Sequence, residues 1–278
     1  MSDTEGTISI VPGDSVTIHS YLAPEDGDLV CSQIIETASR LVIVDAQLLR
    51  PYAQEVRAYA DGLGKPIDRV VLSHAHPDHF CGLDVFADVP IHATPMTTWI
   101  MNSFGQGVMD FKRQSLGDRA HLLAERFVAP THQLDAGSET IDGVQFVFRP
   151  ILDCEQTEVT MVELPAMQAL IAQDVVYNGI YPVVGDKNPQ REYMFDGWIA
   201  ALKDIQARDY AVILPGHGEP CDPSVIPGMI EFIAFGKQLF EAGTPADEFK
   251  AKVVERYPDL KGRDLIDYSV IFLYHSDW

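Results

Sequence analysis

The stretch Ser73-His74-Ala75-His76-Pro77-Asp78-His79 puts three imidazoles and one carboxylate within six residues, directly after the apolar run Val70-Val71-Leu72. These are the ligand types that zinc and its neighbours in the first transition row prefer. Alternate residues of an extended backbone share a side, so His74 and His76 point together. Asp78 and His79 fall where the chain turns, and one loop can thus serve two metal ions. Four such side chains crowded into a loop have little alternative use in packing.

Two later features offer further ligands. Asp174 ends the apolar run Ala169-Leu170-Ile171-Ala172-Gln173, and by itself it reads as a turn or cap carboxylate as readily as a ligand. His217 stands between glycines in Leu214-Pro215-Gly216-His217-Gly218 and is a weak signal alone. Their order after the first cluster strengthens both.

His-x-His-x-Asp-His after a strand resembles the signature of the metallo-β-lactamase fold superfamily, and the resemblance spans most of the chain. The early strands ending in Asp45, the strand ending in Asp174 and the Gly216-His217-Gly218 turn are similar to that family's opening, bridging and closing motifs. The resemblance implies an α/β fold, a four-layer αββα sandwich with C-terminal helices, whose site lies at one edge of the sheets. It also implies two divalent metal ions, zinc or else iron or manganese. His74 and His76 would bind the first and Asp78, His79 and His217 the second, with Asp174 bridging.

One position departs from the family. The turn that ordinarily carries another histidine reads Pro150-Ile151-Leu152-Asp153-Cys154-Glu155-Gln156-Thr157. Asp153 falls where the histidine is expected and is taken as the ligand, with Cys154 and Glu155 as fallbacks. Carboxylates 78, 153 and 174 then cancel three of the four positive charges of two divalent ions. A less positive pair lowers the acidity of bridging water and favours harder ions, manganese or iron, over zinc.

The activity implied is hydrolysis of an ester or lactone by a metal-bridging hydroxide, with Asp78 passing a proton to the leaving group. Tyr177 lies three residues after Asp174, an offset at which lactone-opening members of the superfamily carry an oxyanion-stabilising tyrosine; packing is its other reading. The fold hosts other chemistries. A phosphoesterase or thioesterase, a mononuclear-iron persulfide oxidoreductase and a catalytically weak sensor or binding protein are the alternatives. β-Lactam hydrolysis is disfavoured by the lack of an export signal. His19, His92, His121, His132 and His275 have no ligand-spaced neighbours and read as surface or core residues.

The elements that must position these groups alternate between strand and helix. Strand-like runs occur at 7–11, 15–22, 33–37, 41–45, 69–72, 90–93, 140–141, 144–149, 158–164, 169–172 and 211–214. Pro51 near its first turn and Gly62 and Gly64 at its end mark a helix over 51–63. A second helix is expected over 195–207. Residues 95–130 mix Met, Phe and Trp with glycines, break the rhythm and read as short helices and loops, a lid over the site or outer packing. The loop 178–191 offers Lys187 and Arg191 to an acidic substrate group. The organisation expected is a catalytic domain over 1–225 and a helical extension over 226–278 packed on it. Thr244 and Pro245 cap a helix there, and the apolar segment from Ile266 to Tyr274 docks on the body or on a second subunit as a homodimer.

A formal net charge of -21 repels phosphate backbones and anionic lipid, which argues against nucleic acid or membrane partners and for a small-molecule substrate. No run approaches the roughly eighteen apolar residues of a membrane span. The first residues lack the basic and apolar segments of a secretory signal, so a cytoplasmic location is expected. The four cysteines (Cys31, Cys81, Cys154, Cys221) have no paired spacing and read as free thiols.

Overall fold

The computed structural model describes residues 5–275. Seven strands form one sheet in chain order: β1 (Thr7–Pro12), β2 (Thr17–Leu22), β3 (Cys31–Glu36), β4 (Leu41–Val44), β5 (Ile67–Val71), β6 (Ile91–Ala93) and β7 (His132–Gln133). A second sheet holds β8 (Gly137–Ile141), β9 (Val144–Leu152), β10 (Glu158–Leu164), β11 (Ala169–Tyr177) and β12 (Val212–His217), in the order β12-β11-β10-β9-β8. The helices are α1 (Arg50–Gly62), α2 (Pro77–Phe80), α3 (Pro95–Ile100), α4 (Gln106–Ser115), α5 (Phe195–Gln206), α6 (Ile226–Glu241), α7 (Ala246–Arg256) and α8 (Leu265–Val270).

Strands β1 to β4 run as an antiparallel meander, and β4, β5, β6 and β7 pair in parallel. Parallel neighbours need a crossover, which α1 supplies between β4 and β5 and α5 between β11 and β12. Because helices cover the outer faces, the central strands are buried on both sides and read as continuous apolar runs.

Side-chain alternation sorts those runs into three cores. Ile35, Val42, Val44 and Val71 of the first sheet meet Phe146, Phe148, Val162, Ile171 and Leu214 of the second. Their neighbours Ile34, Leu41, Ile43 and Val70 face outward onto α1 and the 95–130 segment. Met161, Leu170, Ala172 and Ile213 face the other way, onto α5 and the C-terminal helices. Three apolar interfaces separate four layers, and the fold is the expected αββα sandwich.

Residues 95–130 hold the short helices read from the sequence, whereas the end of β11 and the start of α7 differ from the sequence expectation in detail. Residues 95–115 form α3 and α4 joined by a π-helical stretch, Met101–Gly105, and bury Met101 and Met109 against the first sheet. β11 continues through register shifts as far as Tyr177 instead of ending at Ala172, with Gln173 in the left-handed region (φ 47°). In the C-terminal part α7 starts at Ala246, with Pro245 in the cap position expected of Thr244. Among the described residues no helix is long and apolar enough to cross a membrane.

Candidate metal centre

The histidine loop is fixed by the strand beside it. Asp45, fully buried just past β4, accepts from the Ser73 amide (2.7 Å) and from the Ser73 hydroxyl (2.6 Å). Its Oδ2 also lies 2.7 Å from Nδ1 of His79, which turns Nε2 of that ring inward. The Ser73 hydroxyl is 2.8 Å from Nδ1 of His74 and orients that imidazole in the same sense. Pro77 opens the short helix α2, where its missing N–H costs nothing.

Among the described residues three groups of ligating atoms lie within 4.8 Å of one another. One is Asp45, His74 and His79, where the Asp45 carboxylate is already hydrogen-bonded to Ser73. The other two are the donor sets His74, His76, Glu155 and Asp174, and Asp78, His79, Asp174 and His217. Asp174 belongs to both, with Oδ1 3.1 Å from His79 Nε2 and Oδ2 3.3 Å from His217 Nε2. Asp78 Oδ2 lies 3.3 Å from His217 Nε2 and 3.5 Å from His79 Nε2. The structure thus gathers His74, His76, Asp78, His79, Asp174 and His217 at one place.

It does not bring Asp153 to them. Asp153 is exposed, in a left-handed turn (φ 51°) whose amide donates to the Thr157 carbonyl (3.1 Å). The backbone of α5 pins this turn: a Cβ on Gly197 would stand 1.8 Å from the Asp153 carbonyl oxygen. The left-handed residue faces solvent, and the chain points inward two residues later. Glu155 is buried there, with Oε1 3.3 Å from His76 Nδ1 and Oε2 3.7 Å from His74 Nε2. The neighbouring Gln156 accepts from the Ala75 amide (3.2 Å) and ties the turn to the histidine loop. Cys154 is buried in the outer core instead, with its thiol near the Ile151 and Gln156 carbonyls. The charge count is unchanged, because Glu155 replaces Asp153 as the third carboxylate.

His217 is held from three sides. Its Nδ1 lies 2.9 Å from the Asp28 carbonyl, and its ring stacks on Tyr177 at 4.6 Å. Before it, Gly216 is obligatory, since a Cβ would stand 1.8 Å from Asp174 Oδ1. Tyr177 is buried and donates its hydroxyl to Asp174 Oδ2 (2.7 Å), so this group is engaged with the shared carboxylate.

The electrostatics suit cations. Burial opposes the ionisation of His79 and His217, yet carboxylates led by Asp174 outweigh it; His79 lies well above its usual range and His217 is pushed up to about 10. Burial likewise opposes charge on Asp78 and Asp174, and the neighbouring histidines, His79 foremost, hold both below the usual carboxylate range. Glu155 goes the other way, with burial pushing it up to about 7 against the pull of His76. His79 Nε2, Glu155 Oε2 and Asp174 Oδ1 are buried with no hydrogen-bond partner. His79 Nε2 and Asp174 Oδ1 face each other at 3.1 Å without forming a hydrogen bond, and buried polar atoms left this way are costly unless something binds them. Two divalent cations fit this donor set.

A small cleft of about 60 Å³ opens in front of the two sets. Asp78, Glu155, Asp174 and His217 form its floor, and Val183, Leu265 and Phe272 give it apolar walls. Lys112 from α4 and Tyr268 from α8 also line it. Neither was picked out by sequence, although Lys112 lies at helical spacing between the buried Met109 and Leu116. From the 178–191 loop Asp186 approaches, with Oδ2 3.5 Å from His76 Nε2. Lys187 and Arg191 are not among the cleft-lining residues, and the Lys187 ammonium lies over the Tyr193 ring. His19, His92, His121, His132 and His275 lie outside both donor sets.

A family model of the metallo-β-lactamase superfamily matches residues 32–217, which include every inward-facing ligand candidate. The chain belongs to this superfamily. It is 29% identical over 222 residues to a linear primary-alkylsulfatase of Pseudomonas sp. (strain ATCC 19151). That alignment takes in 67% of this chain but 41% of the alkylsulfatase, so the chain spans well under half the length of that relative. Among solved structures, a metallo-β-lactamase from Pontibacter korlensis superposes with a TM-score of 0.60 at 16% identity, covering 82% of this chain and 99% of that one. The metallo-β-lactamase FIM-1 from Pseudomonas aeruginosa, in its mono-zinc form, gives 0.60 at 14% identity, covering 84% and 97%. At such identities these members of the superfamily share its fold and carry no further argument.

Proposed function

We propose that this chain is a dinuclear metal-dependent hydrolase that cleaves ester bonds, with linear alkyl sulfate esters as its substrate class. The observation that carries the hydrolase reading is the pair of donor sets sharing Asp174 beside a cleft, with three of their buried polar atoms left without hydrogen bonds. The sulfate ester follows from the likeness to the alkylsulfatase, and the apolar walls suit an alkyl chain.

In this reading His74, His76 and Glu155 would hold one divalent ion and Asp78, His79 and His217 the other, with Asp174 available to both. Three carboxylates against two divalent charges favour harder ions, manganese or iron, over zinc. Such ions would supply Lewis acidity and make a bound water more acidic than bulk water. The residues do the rest. Asp78, an ionised carboxylate lining the cleft, would take a proton from the attacking water and pass it to the departing alcohol. Tyr177 holds Asp174 through its hydroxyl, and Val183, Leu265 and Phe272 exclude water along the chain. Water and the ester yield the alcohol and hydrogen sulfate.

A carboxylic ester or lactone is the second reading, favoured by Tyr177 on the cleft wall, where a hydroxyl released from Asp174 would meet an oxyanion. Protein purified without chelator and reconstituted with manganese, iron or zinc should release sulfate from octyl sulfate and lose that activity with a chelator. Turnover of an aryl ester or lactone without sulfate release would replace the first reading by the second. No metal-dependent turnover of any ester would remove both.

A further inference from the structure

We infer that Lys112, held by Asp28 and Tyr268, recognises the anionic head of a substrate whose apolar chain lies along Val183, Leu265 and Phe272, an inference that rests on the ester-hydrolase reading above.

Lysine is almost never fully buried unless its charge is paired. Lys112 is 3% exposed, and its ammonium lies 2.6 Å from Asp28 Oδ2. It also donates to the Tyr268 hydroxyl and stands 4.5 Å above the centre of that ring. An ammonium has three donors. Asp28 and Tyr268 take two, which leaves one donor on a residue that lines the cleft together with them.

The surroundings tell against a purely structural ion pair. A buried pair stabilises a fold little better than apolar residues of the same shape. Here three segments from different parts of the sandwich converge on one ammonium: the loop after β2, helix α4 packed on the first sheet, and α8 packed on the second. Lys112 is the one lysine or arginine among the residues lining the cleft, whose floor otherwise carries carboxylates. Charge accounting points the same way. Two divalent ions against Asp78, Glu155 and Asp174 leave one positive charge, and Lys112 cancels Asp28, so an incoming anion meets no unpaired carboxylate at the wall. Asp28 links the two places, because its carbonyl lies 2.9 Å from His217 Nδ1 while its carboxylate holds Lys112.

Two substitutions should move anion binding in opposite directions. Calorimetry on the manganese-loaded protein compares octanesulfonate, a non-hydrolysable anion, with methyl octyl sulfone, a neutral analogue. Lys112→Met should weaken octanesulfonate roughly ten- to hundredfold, the range for losing a charged hydrogen bond, and leave the sulfone unchanged. Asp28→Asn should tighten octanesulfonate several-fold. Asparagine tolerates the left-handed backbone at this position (φ 61°) and keeps the carbonyl that faces His217. If Lys112→Met does not fold, Lys112→Arg, expected to retain sulfonate binding within tenfold, and Asp28→Asn still decide. A wild-type protein that ignores octanesulfonate, an unchanged affinity in Lys112→Met, or parallel weakening of both ligands in both variants would overturn the inference. Charge-dependent sulfonate binding without hydrolysis of any ester would uphold it and sink the hydrolase reading instead.

Discussion

The hydroxyl of Tyr177 donates to Oδ2 of Asp174 across 2.7 Å, while its ring stacks on His217, its partner across β11 and β12. One side chain therefore supports both the shared carboxylate and the last histidine. Tyr177→Phe keeps the stack and removes the hydrogen bond. The expected outcome is roughly ten- to hundredfold weaker metal binding, the usual cost of losing an outer partner of a ligand, with turnover at saturating metal within tenfold of wild type. An oxyanion donor would behave differently, losing roughly a hundred- to a thousandfold in turnover with metal binding intact. Metal titration beside kcat on octyl sulfate separates the two.

Asp45 governs which nitrogen of His79 is free. As a carboxylate it accepts from Nδ1–H and leaves the Nε2 lone pair for a metal. Asp45→Asn can present an amide N–H to Nδ1, which moves the ring proton to Nε2 and blocks that ligand atom. The variant should retain one ion per chain where the wild type retains two, as read by elemental analysis after dialysis. Its Ser73 hydrogen bonds are weakened as well, so the melting temperature of the metal-free form should fall by several degrees, in line with about 1–3 kcal/mol for a disturbed buried polar group. Two ions retained after dialysis would show that Asp45 does not set the tautomer.

What the sequence made legible was the local part of this site. Four ligands on one loop need only the strand before them, and the strands buried on both faces, such as Leu41–Val44 and Ala169–Ala172, announce themselves as unbroken apolar runs. The third carboxylate was not legible to the residue. Asp153, Cys154 and Glu155 are all plausible ligands in one dimension, and a left-handed turn pinned by Gly197 decides which faces inward. The cleft wall was less legible still. Lys112 is 84 residues from Asp28 and 156 from Tyr268, and only the packing of α4 and α8 on opposite sheets joins them. The C-terminal apolar segment reads as a docking surface in sequence, and in the structure it lines the cleft through Tyr268 and Phe272.

Acid and metal should compete for the same atoms. In the metal-free protein Glu155 is raised from 4.5 to about 7 and His217 from 6.5 to about 10, so the folded chain binds both protons more tightly than the unfolded chain. Their contributions to stability are fully present below about 4.5 and 6.5 and are lost as pH rises through about 7 and about 10. His79 shifts in the same direction. Chelated protein should therefore melt at lower temperature at about pH 9 than at about pH 6. Metal-loaded protein should not follow, because its ligands must already be deprotonated, and loading should release protons into the buffer. Calorimetric titration in buffers of different ionisation enthalpy counts those protons. A chelated protein whose melting temperature rises over this interval would contradict the protonated, carboxylate-paired state of the two side chains.

The contrast between Glu155 and Asp153 gives the most direct test of the first metal position. Glu155 is buried with one carboxylate oxygen lacking a partner and the other 3.3 Å from His76, whereas Asp153 is exposed in the turn. Glu155→Gln keeps the size of the side chain and removes its charge. It should lower affinity at one of the two sites by at least tenfold and make turnover depend on added metal, with the second ion retained. It also leaves the pair one charge more positive, which favours ionisation of bound water, so the acid limb of the pH–rate profile at saturating metal should move to lower pH. Asp153→Ala should change neither metal content nor that profile. Its cost is confined to the turn: alanine fits the left-handed conformation poorly, at about 1 kcal/mol or somewhat more. Metal analysis and pH–rate profiles on the two variants side by side decide between the residues. Should Asp153→Ala lose an ion while Glu155→Gln keeps both, the turn would have to open in solution and present the other carboxylate, and the first donor set would be wrong by two residues.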